Sequence, residues 1–159
     1  HRHDELRPRA RRGAAAERIL IAREPCEAPR MAKITGIGGV FFKTDTVATA
    51  HWLSDNLGLS LEPWGTKFPW REREGDGKGY TVLGLHPRSS TYFGPSKRDL
   101  MINFRVDDLD GMLEQLRKKT IEIVKVFDPE PNGRFAHVRG PDDLVIELWG
   151  PAKEDPFDP

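Results

Sequence analysis

Two stretches set 62 residues apart begin in the same way, and the elements after each of them exclude most α/β folds. Residues 39–45 read GVFFKTD and residues 101–107 read MINFRVD. Each is a strand pattern that ends in a basic residue, one further residue and an aspartate. Each then runs into a helical stretch and a new apolar alternation, Leu59-Ser60-Leu61 or Ile121-Glu122-Ile123. Identity between the copies is low. The shared order of elements marks an internal duplication.

The second copy is the clearer one. Leu100, Ile102, Phe104 and Val106 alternate along one face of a strand, and Met101, Asn103 and Arg105 take the other. Asp107 or Asp108 is placed to cap the next helix, because a carboxylate there accepts free backbone N–H groups. Leu109, Met112, Leu113 and Leu116 fall at helical spacing and form one apolar stripe. Arg117, Lys118 and Lys119 lie at its end, where the helix dipole is negative. Strands are predicted at about 121–127, 133–139 and 143–149, the last two separated by the turn Gly140-Pro141-Asp142-Asp143.

The first copy has the same order. A strand at about 33–43 leads to a helix at 46–57, capped by Thr44 or Asp45 and ended by Gly58. Strands are predicted near 59–64, 67–72 and 79–86, with a turn at Glu74-Gly75-Asp76-Gly77. Residues 87–98, with two prolines and a glycine, join the copies.

Three strands after each helix cannot make a doubly wound parallel sheet, which needs strand and helix to alternate. The expected class is α+β: two βαβββ modules, at about 33–86 and 99–149, forming curved mixed sheets around a cavity. The chain carries no net charge at pH 7, so no broad basic field invites nucleic acid. No apolar run is long enough to span a bilayer, so no membrane partner is expected. A single cysteine, Cys26, excludes an internal disulfide framework and fits a reducing, cytoplasmic setting.

Residues 1–30 differ in kind. They hold eight arginines and no lysine, and the break falls just before Met31-Ala32-Lys33. The expectation is a mostly disordered upstream or expression-derived extension, with the domain at 31–159. An organellar transit peptide is the alternative for an arginine-rich leader, and five acidic residues in the segment argue against it.

Ile37-Gly38-Gly39-Val40-Phe41-Phe42, Asn56-Leu57-Gly58-Leu59, Phe104–Asp110 and the turn-and-strand Gly140–Leu148 succeed one another in a familiar order. With them the chain resembles the vicinal oxygen chelate superfamily: glyoxalase I, bleomycin-resistance proteins, fosfomycin-resistance enzymes and extradiol dioxygenases. The resemblance covers nearly all of 33–150. It implies a small organic ligand and a homodimer. In its metal-dependent members the first strand of each copy and a closing-strand glutamate supply the ligands. Carried over, those positions are Gly39, Met101 and Glu147, with a fourth near Leu83–Leu85. Glycine offers no side chain, and a thioether suits hard divalent ions poorly. No metal or other cofactor is therefore expected. The alternative is a divalent metal held by Glu147 with His86 or His137.

Val145, Glu147 and Trp149 share one strand face. If that face lines the cavity, Glu147 is the candidate catalytic base for lyase or isomerase chemistry, since desolvation raises a carboxyl pKa into a useful range. Phe41, Met101, Asn103, Arg105, His137 and Trp149 are the candidate ligand-binding residues. Asn103 would hydrogen-bond the ligand and Arg105 would hold an anion. The competing reading of Glu147 is a salt bridge to Arg105 or Arg139. Trp64, Trp70, Tyr80, Tyr92 and Phe93 are either ordinary core or an aromatic wall. The rival to an enzyme is a binding protein that sequesters a toxic or antibiotic molecule.

Overall fold

The computed structural model describes residues 31–71 and 77–158. The extension expected at 1–30 and the turn at 74–76 lie outside the described residues. The elements are β1 (Ile34–Thr44), α1 (Thr46–Leu57), β2 (Gly65–Arg71), β3 (Lys78–Pro87), β4 (Leu100–Val106), α2 (Leu109–Lys118), β5 (Ile123–Val126), β6 (Gly133–Arg139) and β7 (Val145–Pro151). Among the described residues no helix is long and apolar enough to cross a membrane.

Among the described residues seven strands join one mixed sheet in the order β2-β3-β1-β4-β7-β6-β5. The inner pairs β1–β3 and β4–β7 are parallel, and β1–β4 is antiparallel. Gly39 pairs with Asn103, Phe41 with Met101, and Val40 with Ile102. Under the 62-residue offset Val40 and Ile102 are equivalent positions, so the axis relating the copies passes through their pair. The duplication read from the sequence is thus the symmetry of the sheet.

The helix caps form as expected. Asp45 accepts from the Ala48 N–H and Asp108 from the Gly111 N–H, each at 3.0 Å. Gly58 ends α1 at φ 70°, a left-handed conformation that glycine adopts without strain. Asp107 instead accepts from the Lys33 N–H at 2.9 Å, tying the start of β1 to the end of β4.

One face of the second module packs against α2. Val106, Leu109, Leu113, Ala136, Val138 and Leu148 form its buried core, with Phe104, Met112, Leu116, Ile123 and Ile146 against it. Alternation then sends Met101, Asn103, Arg105, Phe135, His137, Val145, Glu147 and Trp149 to the opposite face.

The first module departs from expectation in two places. The strand predicted at 59–64 is reduced to a single bridge between Glu62 and Gly65. Pro63 has no N–H to give a ladder there, whereas Pro69 is accommodated because β2 is an edge strand. Helix α1 buries no residue fully and leaves Val47, Trp52 and Leu57 exposed.

Candidate functional site

On the face turned away from α2, cross-strand register brings His137, Glu147 and Asn103 side by side, from β6, β7 and β4. They are 2%, 2% and 1% exposed. The Asn103 amide donates to Glu147 Oε1 at 2.7 Å. His137 Nε2 lies 2.7 Å from Glu147 Oε2, with the donor set by the imidazole tautomer. The Tyr92 hydroxyl also donates to Glu147 Oε2. Both carboxyl oxygens are therefore engaged. Neither partner expected from the sequence is involved: Arg139 pairs with Asp143 at 3.3 Å, and Arg105 is held elsewhere.

Tyr92 comes from the segment between the copies. Its ring stacks on His86 at 5.5 Å and meets the His137 ring edge-on at 4.8 Å. Phe93 beside it is fully buried with Met101 and Val145. The linker thus closes over the glutamate. Burial pushes the Tyr92 hydroxyl far above the usual phenol range, and the charge of Glu147 and the hydrogen bond to it add to the shift. The hydroxyl keeps its proton and remains a donor.

Burial lowers the His86 pKa, Lys43 lowers it further, and Glu147 opposes both. The unfolded chain therefore takes up a proton near the ordinary value of about 6.5, where folded His86 resists it. The stability contributed by His86 is whole above that value and declines as pH falls from about 7 towards the lowered folded value. His86→Phe keeps a ring against Tyr92 and Phe93 and removes the titration. Urea midpoints at pH 7.5 and 5.5 should fall less in the variant than in the parent; equal losses would remove His86 as a cause.

A cavity of about 340 Å³ opens beside this cluster. Phe41, Val82, Asn103, Phe135 and Trp149 reach it from five different strands, so the sheet wraps around it. Tyr80, Lys67, Trp64 and Phe157 complete its outer part. Of the residues expected to bind a ligand, Phe41, Asn103 and Trp149 line the cavity. Met101, Arg105 and His137 do not, and neither does Glu147. Glu147 stands one layer back, behind Asn103. The carboxyl side by side with apolar cavity walls, expected from strand alternation, is therefore replaced by an amide backed by a carboxyl.

That backing fixes the amide. Asn103 Nδ2 must face Glu147, so Oδ1 faces the other way, and it is buried with no hydrogen-bond partner. It points at Gly38, where a Cβ would stand 2.1 Å from it. A register shift between Ile37 and Gly39 turns Gly38 to the cavity.

Arg105 is 7% exposed and packed among rings, with its guanidinium carbon 4.5 Å from the centre of Trp149, 5.2 Å from Trp70 and 5.9 Å from Tyr80. Burial lowers its pKa, against the pull of Tyr80, Asp158 and Asp155.

The donor set does not fit a divalent metal of the kind some vicinal oxygen chelate enzymes hold. Register makes Phe41 the first-copy counterpart of Asn103, and Phe41 pairs with Gly84 as Asn103 pairs with Glu147. Gly65 pairs with Gly84 as His137 pairs with Glu147. The first copy thus offers a phenyl ring and two glycines, and the ring fills the space a side chain at Gly84 would need. Among the described residues no three His, Cys, Asp or Glu side chains converge. His86 stacks on Tyr92 rather than joining Glu147 and His137.

Sequence reasoning missed Gly38, Lys67, Val82, Asn132, Phe135 and Phe157 as cavity residues and Tyr92 as a partner of Glu147. An aromatic pair, Tyr92-Phe93, in an otherwise polar linker was the available signal for a loop folded inward.

No family model matches the sequence, and no curated protein matches it. Among solved structures, the chain is similar to methylmalonyl-CoA epimerase from Mycobacterium tuberculosis, with 22% identity over 75% of this chain and 89% of that one, at a TM-score of 0.46. It is similar to a protein named NAD-dependent benzaldehyde dehydrogenase from Legionella pneumophila, with 16% identity over 72% of this chain and 98% of that one, at 0.49. The Mn(II)-bound glyoxalase from Novosphingobium aromaticivorans is 16% identical over 77% of this chain and 42% of its own length, at 0.43. The activities these three proteins are named for differ from one another. In this chain, two repeats joined through β1 and β4 into one mixed sheet around a cavity make the vicinal oxygen chelate fold.

Proposed function

We propose that the protein binds a small aromatic molecule in the cavity and presents Asn103 Oδ1 as the acceptor that orients it. One observation carries this reading: a buried amide oxygen, fixed in direction by Glu147 and lacking a partner, at the wall of a cavity lined by aromatic rings. A buried acceptor left unpaired costs about 1–3 kcal/mol, and a ligand O–H or N–H recovers it. Apolar walls with a few convergent polar groups are the usual form of a small-molecule site.

N-Phenyl-1-naphthylamine, two aromatic units joined through an N–H, is a suitable fluorescent probe. It should bind the parent protein at one site. Asn103→Leu should weaken it by about 10–100-fold, the range expected for leaving a ligand donor unpaired in a dry site. Val82→Trp, which fills the cavity and leaves the Asn103–Glu147 hydrogen bond alone, should abolish binding. Binding retained in both variants would place the probe elsewhere and end this reading.

Proton-transfer chemistry at Glu147 is the second reading. It draws on the meeting of Glu147, His137 and Tyr92 in one buried chain of hydrogen bonds. It requires Asn103 to move aside, and it predicts that Glu147→Gln abolishes turnover while probe affinity survives. The resemblance also implies a homodimer, which we propose here. The apolar side chains exposed on α1 and at Trp64 suit such a surface, and sedimentation velocity gives the mass that decides it.

A further inference from the structure

The chain beyond β7 turns back across the open side of the cavity. Among the described residues a few hydrogen bonds set its path. The Ala152 N–H donates to the Asn132 carbonyl at 3.1 Å, the Tyr80 hydroxyl donates to Asp155 Oδ2 at 2.7 Å, and the Lys67 ammonium meets the Phe157 carbonyl. The Phe157 N–H closes a local turn on Asp155 Oδ1 at 2.8 Å. As a result the Phe157 ring forms part of the cavity wall while half of it stays in solvent. Asp158 carries one buried carboxyl oxygen that has no hydrogen-bond partner.

Two cations face this segment. The Lys67 ammonium lies 5.1 Å from the centre of the Tyr80 ring, and Arg105 packs against the same ring. Among the described residues no carboxylate reaches within ion-pair distance of Arg105. Its hydrogen bond to the Tyr80 carbonyl is long, at 3.4 Å. A guanidinium is a planar fork of donors suited to bidentate contact with a carboxylate or similar anion, and here that capacity is unused. Asp155 and Asp158 act on Arg105 only through space.

An aromatic ring between two carboxylates thus sits on an aromatic cavity beside an arginine and a lysine. This is the chemistry of an aromatic acid, supplied by the chain itself. We propose that residues 155–158 are an internal stand-in for the ligand, and that the ligand is an aromatic anion that displaces them and brings its acid group to Arg105 and Lys67. The inference rests on the aromatic-cavity reading and adds the charge of the ligand to it. Displacement is undemanding, because a segment held by a few half-exposed contacts opens at low free energy. A ligand that carries ring and anion in one molecule satisfies both cations at once, whereas the tail leaves Asp158 Oδ1 without a hydrogen bond.

Two probes separate this inference from the reading beneath it. 8-Anilinonaphthalene-1-sulfonate and N-phenyl-1-naphthylamine share their rings and bridging N–H and differ by the sulfonate. Titrated into the full chain, the sulfonate should bind about tenfold tighter than the neutral amine, the worth of a charge-assisted contact in a partly dry site. Asp155→Asn with Asp158→Asn, on the half-exposed tail, should tighten the sulfonate several-fold and leave the amine unchanged. Arg105→Met should erase the preference; since that side chain is buried and its loss can unfold the protein, the tail variants decide alone if it does not fold. Equal affinity for the two probes, or no response to the tail substitutions, overturns the anionic ligand and leaves the aromatic cavity standing. Failure of both probes to bind removes both.

Discussion

Glu147→Ala should lower the stability of the folded chain by about 3–5 kcal/mol, among the largest losses expected of any single substitution here. Removing the carboxyl strands the buried Asn103 amide and the part-buried Tyr92 hydroxyl as donors and takes from His137 its partner at 2.7 Å. Each buried group left unpaired costs about 1–3 kcal/mol. The melting temperature should fall by about 10 °C or more for a domain of this size. Glu147→Gln keeps one acceptor oxygen for Asn103, and the Tyr92 hydroxyl can rotate to accept from the new amide. Its loss should be about 1–2 kcal/mol. Thermal melts followed by circular dichroism compare the two. If alanine is no worse than glutamine, the carboxyl is not holding its three neighbours together, and its role as the brace of Asn103 fails with it.

That brace explains which parts of the site could be read from the chain and which could not. Alternation along β4 and β7 put Asn103 and Glu147 on a common face, and the repeat set their strands near each other. Alternation cannot say which side chain stands in front. That order comes from the register of β4 against β7, which sets the Asn103 amide against Glu147, with its oxygen towards Gly38. The first module was harder still. Its fourth ligand position was indeterminate near Leu83–Leu85, and only the pairing of Phe41 with Gly84 fixes it. The roles of Tyr92 and Phe157 depend on where a linker and the segment after β7 travel in space. Neither carries a periodic signal, because periodicity belongs to regular elements and these segments have none. Helix α1 shows the same limit from the other side: its cap and its glycine stop were plain, yet its lack of a buried face was not.

Gly38 is where the second large effect is expected, and it tests the cavity wall beside Asn103. A Cβ there would lie 2.1 Å from Asn103 Oδ1, 2.8 Å from Trp149 Cε3 and 3.0 Å from Arg105 Cγ. None of these neighbours yields freely. Asn103 is tied to Glu147, Trp149 donates its indole N–H to the Asn132 carbonyl at 2.9 Å and stacks on Phe135, and Arg105 is packed between rings. Gly38→Ala should therefore destabilise by about 1–3 kcal/mol, the usual cost of forcing an extra methyl into a packed interior. Because the atom it displaces is the proposed acceptor, affinity for N-phenyl-1-naphthylamine should also fall by more than about tenfold. Gly36→Ala is the control on the same strand, since a Cβ there meets nothing within 4 Å. It should leave binding unchanged and stability the same or slightly higher, because alanine restricts the unfolded chain more than glycine does. Probe titrations and urea midpoints on the two variants give opposite patterns if the amide oxygen orients the ligand. If Gly38→Ala binds the probe as well as Gly36→Ala does, Asn103 is not the residue that receives it.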